Sequence, residues 1–145
     1  MAQVLYTAKA TVTGGRSNGH GRTDDAALDI QLRSPREMGG EGGGTNPEQL
    51  FAIGYAACFE GALGVVARRE RVELGEVSID SQVGLIAGDD RRFTVNVRLD
   101  VTLPQVHDSL EAARIVAAAH EVCPYSNATR GNIEVILTAN GRDVG

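Results

Sequence analysis

The sequence predicts a single α+β domain with the element order β-β-α-β-β-α-β. Three observations carry that expectation. Short alternating runs come in pairs joined by turns, which favours hairpins over right-handed βαβ crossovers. Two capped helical segments stand between those pairs and the last strand. The first helix is apolar nearly all round, so antiparallel sheets, or a partner chain, must cover it as a long buried central helix. The 145 residues suit one domain spanning 1–145, with no internal repeat or linker.

The elements follow in order. Residues 3–13 alternate, with Val4, Tyr6, Ala8, Ala10 and Val12 on one side and Leu5, Thr7, Lys9, Thr11 and Thr13 on the other. That is the pattern of a half-buried strand. Gly14-Gly15 breaks it, and Asn18-Gly19-His20-Gly21 continues the turn chemistry. A second run sets Leu28, Ile30 and Leu32 against Asp29, Gln31 and Arg33. The two runs read as a hairpin with a long glycine-rich connection. Ser34 to Thr45 has no periodicity and carries five glycines within 39–44; such a loop is functional or disordered. Asn46 then offers a helix cap, Pro47 takes the first helical position, and Gln49 completes a capping box. This helix runs from Pro47 to about Arg69. Residues 77–87 form a strand and 88–92 a turn. From 93 to 103, Phe93, Val95, Val97, Leu99, Val101 and Leu103 alternate with polar neighbours. Asp108 caps a second helix, which Pro124 stops after about Val122. Ile133, Val135 and Leu137 make the last strand, ahead of a polar tail.

Composition narrows the function. Hydrophobic residues at 42% and charged residues at 23% are those of an ordinary globular chain. A net charge of −5 and a pI near 5.1 lack the Lys/Arg surplus that a nucleic-acid partner requires. The longest apolar stretch, Phe51 to Phe59, falls short of the roughly 18 residues of a bilayer span, so no membrane is expected. The N-terminal residues carry no basic region followed by an apolar one, so the expected location is cytoplasmic. Gly accounts for 18 residues, well above the usual ~7%, and the excess is local. The two cysteines lie 65 residues apart, too few for a disulfide framework and too distant for a zinc knuckle. The three His and two Cys match no zinc spacing, so no metal is expected. The glycines at 39–44 are not followed by the Lys-Ser/Thr of a phosphate loop, and Gly-x-Ser-x-Gly is absent.

The chemistry candidates are few. Cys58 sits mid-helix, where a buried cysteine is ordinarily inert packing. Cys123 ends a helix in Cys123-Pro124-Tyr125-Ser126-Asn127. The dipole there disfavours a thiolate, which suits attack on an already oxidised partner better than first attack. One central cysteine and one beside a turn suit a peroxidatic and resolving pair. Glu48 in the first helical turn is favoured by the dipole and reads equally well as simple capping. Arg16, after Gly14-Gly15, reads as a solvated turn residue or as Glu48's partner. Glu48 and Cys58 are separated by roughly 15 Å along an ideal helix. An Arg fork would reach both only if the side chains converge or Gly54 lets the helix bend. His120 shares a helix face with Cys123, as a base or as an ordinary surface or capping histidine.

Taken together the segments resemble the organic hydroperoxide resistance branch of the Ohr/OsmC family. The likeness runs from Val4-Leu5-Tyr6-Thr7-Ala8 to Ile133. It rests on Thr13-Gly14-Gly15-Arg16 and on the glycine loop leading into Gly44-Thr45-Asn46-Pro47-Glu48-Gln49-Leu50-Phe51. Gly54-Tyr55-Ala56-Ala57-Cys58-Phe59 and Val122-Cys123-Pro124-Tyr125-Ser126-Asn127-Ala128-Thr129-Arg130-Gly131-Asn132 complete it. The resemblance implies a thiol peroxidase for organic and fatty-acid hydroperoxides, an intertwined homodimer with no metal or prosthetic cofactor. It implies Cys58 as peroxidatic and Cys123 as resolving cysteine, with Arg16 and Glu48 as the activating ion pair. It further implies recycling by a lipoylated protein or similar dithiol. The apolar helix side chains Phe51, Tyr55 and Phe59, with Tyr125, would receive an alkyl or acyl tail. Other readings stand beside it: a general OsmC-type peroxidase, and a non-catalytic lipid-binding stress protein. A monothiol glutaredoxin-like reading of Cys123-Pro124-Tyr125-Ser126 fits poorly, since that cysteine should open a helix after a strand.

Overall fold

A computed structural model describes residues 2–145. The chain forms two compact units, residues 1–50 and 51–145, with the division falling inside the long helix.

The first unit is built on a three-stranded antiparallel sheet of β1 (Ala10–Thr13), β2 (Asn18–Thr23) and β3 (Asp29–Arg33), in that order. The expected two-strand hairpin is thus a meander, because the glycine-rich stretch read as a connection is itself a strand. The reason is close backbone approach. A Cβ on Gly19 would collide with the Gly15 carbonyl oxygen and lie 2.7 Å from that of Thr13, so only glycine fits there. Gly14 and Gly15 turn the chain with φ of 76° and 70°. The first strand is also shorter than its alternation predicts. Among the described residues, 2–9 pair with no strand, and Val4, Leu5 and Tyr6 are exposed. The glycine-rich loop is ordered into a 3₁₀ turn at Arg36–Met38 and returns to β3, where Thr45 exchanges backbone hydrogen bonds with Gln31 and Arg33.

Helix α1 (Pro47–Glu70) begins as expected. The Asn46 carboxamide oxygen accepts from the Gln49 backbone N–H at 2.9 Å, and Gln49 Oε1 accepts from the Asn46 N–H at 3.2 Å. By length and composition alone the helix could cross a membrane. The nine-residue stretch understated this because Ala and Gly carry the apolar character past Glu60. Core helices of soluble proteins meet the same criterion, and this one contributes the stripe Tyr55, Phe59, Ala62, Leu63 and Val66 to a core.

The second unit carries a four-stranded sheet in the order β4 (Ser78–Ala87), β5 (Phe93–Thr102), β6 (Val135–Ala139), β7 (Arg142–Asp143). β4 and β5 form the expected hairpin over its full length. β5 and β6 are parallel, so the sheet is mixed where antiparallel pairing was expected. Two helices intervene between those strands, and only a crossover can return the chain. They are α2 (Ser109–Val122) and α3 (Pro124–Thr129). The core joins the α1 stripe to Val97, Leu99 and Val101 of β5, Ile115, Val116 and Ala119 of α2, and Leu137 of β6.

Candidate active site

Arg16 occupies the glycine turn between β1 and β2, and Glu48 the first turn of α1. Arg16 Nη2 donates to Glu48 Oε2 at 2.7 Å. The pair is partly sheltered, with side-chain exposures of 36% and 17%. Burial alone would raise the Glu48 carboxyl. The hydrogen bond from Arg16, a backbone N–H and the guanidinium charge outweigh it and hold the group below its ordinary range. Arg16 Nε is buried and has no partner among the described residues, so the anchored fork keeps a donor to give. Sequence reasoning left open whether Arg16 was only a turn residue; in the structure it is ion-paired.

The two cysteines meet in the second unit. Cys58 lies beside the buried stripe of α1, half-buried and packed against the core, whereas Cys123 is fully buried. Their sulfurs lie 3.5 Å apart, both as free thiols. Cys123 does end α2, where its N–H bonds the Ala119 carbonyl at 2.9 Å. It also caps α3, which Pro124 opens. Pro124 was expected only to stop a helix. It does so and starts another, since proline is well placed at the first helical position. That second start turns the Tyr125 backbone N–H toward Cys58, where it favours the thiolate. Burial acts the other way and dominates, and the Cys123 neighbour adds to it, so within this unit the Cys58 thiol is pushed up.

The aromatic candidates separate by burial. Phe51, Tyr55 and Tyr125 form a cluster with ring centroids 5.7–6.0 Å apart. Gly54 seats Tyr125, since a Cβ there would approach its hydroxyl to 3.3 Å. Tyr125 is 40% exposed and Phe51 partly buried, but Tyr55 and Phe59 are fully enclosed in the core. The last two therefore present no face to a ligand in this chain. Sequence reasoning missed Ser126 and Thr129, whose hydroxyl oxygens lie 2.8 and 3.2 Å from the Tyr55 hydroxyl. Two small hydroxyls one helical turn apart gave no signal of their own.

Two thiols are brought within reach of each other across 65 residues of chain, on an α+β scaffold with a long apolar helix. The comparisons with known proteins are specific. The family model of OsmC-like proteins matches residues 40–138. An organic hydroperoxide resistance protein of Xanthomonas axonopodis pv. citri is 56% identical over 140 residues, covering 94% of this chain and 95% of that one. The organic hydroperoxide resistance protein OhrB of Bacillus subtilis is 47% identical over 134 residues, covering 92% and 96%. A crystal structure of an organic hydroperoxide resistance protein from Legionella pneumophila superposes with a TM-score of 0.88 at 51% identity, covering 94% of this chain and 98% of that one. The chain belongs to the OsmC-like family, in its organic hydroperoxide resistance branch.

Proposed function

We propose that this protein is a thiol peroxidase that reduces organic hydroperoxides to alcohols, protecting the cell from oxidative stress. The observation that carries this reading is the 3.5 Å approach of the Cys58 and Cys123 sulfurs. Its relatives are named for organic hydroperoxide resistance, which supports the substrate class. In the first step the Cys58 thiolate attacks the distal peroxide oxygen. An S–O bond forms, the O–O bond breaks, and the alkoxide leaves and takes a proton, giving an alcohol and a Cys58 sulfenic acid. In the second, Cys123 gives up its proton and its sulfur attacks Cys58. The S–S bond forms, the S–O bond breaks, and hydroxide leaves as water. An external dithiol of the lipoyl type then reduces the disulfide and is itself oxidised.

Arg16 supplies the cation that the Cys58 thiolate needs, and Glu48 aims it; the unpaired Nε of Arg16 supports this assignment. The opposing push of burial on Cys58 makes such a cation necessary at neutral pH. Phe51 and Tyr125 are the groups proposed to meet an alkyl or acyl tail. The protein acts in the cytoplasm, without a metal or prosthetic group, as a homodimer. The exposed Val4, Leu5 and Tyr6 and the 70% exposed Ile53 of α1 support a partner copy. The test is a titration of free thiols before and after one equivalent of an alkyl hydroperoxide. Loss of both thiols with release of one alcohol is expected, and unchanged thiols would assign a lipid-binding role instead.

A further inference from the structure

Beneath the cysteine pair runs a buried chain of hydroxyl groups that the two chemical steps leave unused. His120 Nδ1 lies 2.8 Å from Ser126 Oγ, Ser126 Oγ lies 2.8 Å from the Tyr55 hydroxyl, and that hydroxyl lies 3.2 Å from Thr129 Oγ1. Ser126 and Tyr55 are completely enclosed, and Thr129 is 8% exposed. Tyr55 stands one turn before Cys58 on α1, His120 one turn before Cys123 on α2, and Ser126 one turn after Cys123 on α3. These three links thus each stand one turn from a cysteine, and Thr129 ends the hydroxyl chain. Arg130 adds a clamp, donating to the His120 carbonyl at 2.5 Å and to Asn127 Oδ1 at 2.7 Å.

Counting hydrogens gives the chain one direction. Thr129 donates its only hydroxyl hydrogen to a carbonyl, that of Tyr125 at 2.9 Å or of Ser126 at 3.3 Å. Carbonyls only accept, so Thr129 must accept from Tyr55. Tyr55, its hydrogen spent, accepts from Ser126. Ser126, likewise spent, accepts from His120, whose Nδ1 must carry the proton. Burial, followed by the Arg130 charge, holds the His120 imidazole below its ordinary pKa. At neutral pH it is therefore the Nδ1–H tautomer with a free Nε2 lone pair.

We infer that Ser126 is a positioning residue for disulfide formation: it is the junction through which His120, Tyr55 and Thr129 hold the Cys123 turn against the Cys58 turn. The inference rests on the proposed peroxidase chemistry and concerns its second step alone. From 3.5 Å the sulfurs must close to a bond of about 2.05 Å, with Cys123 approaching opposite the departing hydroxide. A braced junction leaves only side-chain rotation to make up the difference. Without the brace the α2–α3 junction drifts, and a misplacement of about 1 Å is enough to cost up to about a hundredfold in rate. The first step needs Cys58 and the peroxide but not the position of Cys123.

The experiment follows single turnovers of the full chain with cumene hydroperoxide, timing peroxide loss and disulfide appearance separately, in the parent, Ser126→Ala and Thr129→Val. The variants should consume the first equivalent within about twofold of the parent rate and form the disulfide about tenfold or more slowly. Their longer-lived sulfenic acid should yield more sulfinic acid by mass spectrometry at equal peroxide excess. Nitrogen-15 NMR should show His120 protonated at Nδ1 in the parent and released to the other tautomer in Ser126→Ala. Disulfide formation at the parent rate in both variants overturns the inference, as does equal slowing of both steps. If the parent itself consumes peroxide without forming a disulfide, or consumes none, the peroxidase reading fails and this inference with it. That failure is distinct because it lies in the parent.

Discussion

At the scale of single residues, the chemistry turns on how two environments oppose each other at Cys58. Burial raises its thiol, while the Tyr125 backbone N–H favours the thiolate. A thiol raised in this way is mostly protonated at pH 7 and becomes nucleophilic as the pH rises. A cation beside the sulfur moves that transition back toward neutrality. Replacing Arg16 by Ala should therefore move Cys58 alkylation to higher pH. A rise of about one pH unit in the midpoint lowers the thiolate fraction near pH 7 about tenfold. Peroxidase rate at pH 7 should fall and recover in part at alkaline pH. Glu48→Ala should show a milder change, since the charge stays but loses its aim. Arg16→Lys should also be impaired, because a point charge cannot serve carboxylate and sulfur together. If parent and variants alkylate with one common pH profile, Arg16 does not activate the thiol. The roles of the cysteines separate by turnover count. Cys58→Ser should abolish peroxide consumption, and Cys123→Ser should complete about one turnover and then stall as sulfenic or sulfinic acid. Sustained multi-turnover activity of Cys123→Ser with a lipoyl reductant would contradict the assignment.

At the scale of elements, the Arg16 turn depends on the glycines of β2. Gly19 and Gly21 look alike in sequence but differ in surroundings. A Cβ at Gly19 would collide with backbone oxygens, whereas one at Gly21 would meet Ile30, Leu32 and Val12 side chains at an ordinary 3.7 Å. Gly19→Ala should thus displace the β1–β2 turn, with a loss of well over ~1 kcal/mol and of peroxidase rate together. Gly21→Ala should stay within about 0.5 kcal/mol of the parent. Chemical denaturation midpoints of the two variants make the comparison, and equal midpoints would refute it. The capping box at Asn46 and Gln49 acts on the neighbouring element, setting where α1 starts and so which turn of the helix carries Glu48.

At the scale of the whole molecule, α1 is apolar on nearly every face, yet within the chain it buries one stripe. Residues 3–9 continue the strand alternation of β1 without a strand partner among the described residues. Among the described residues β1 is also an edge of its sheet, with no strand on its outer side. A second copy would satisfy the edge and cover the helix. Sedimentation at micromolar concentration should give a dimer, with an interface well above ~1,000 Å² in total. A monomer under those conditions would refute the assembly. Removing residues 2–9 should weaken the dimer, which dilution series would reveal.

Local patterns determined much of this protein. The capped starts of α1 and α2, the β4–β5 hairpin and the α+β class follow from period, capping chemistry and turn residues, which act within a few residues of chain. The family was legible as well, through motif segments that resemble the organic hydroperoxide resistance branch. The tertiary structure decided what depends on distant neighbours. β2 was hidden because its glycines answer to a closely approaching backbone rather than to their own propensity. The parallel β5–β6 pairing depends on two helices returning the chain, which no local alternation encodes. α3 was hidden because Pro124 carries both a stop and a start signal. Tyr55 looked like a substrate contact because an aromatic residue reads the same whether its ring faces a cavity or the core. Its burial, and the hydroxyl chain through Ser126 that the burial requires, exist only once α1, α2 and α3 are packed together, since an enclosed polar group must find its partners across the fold.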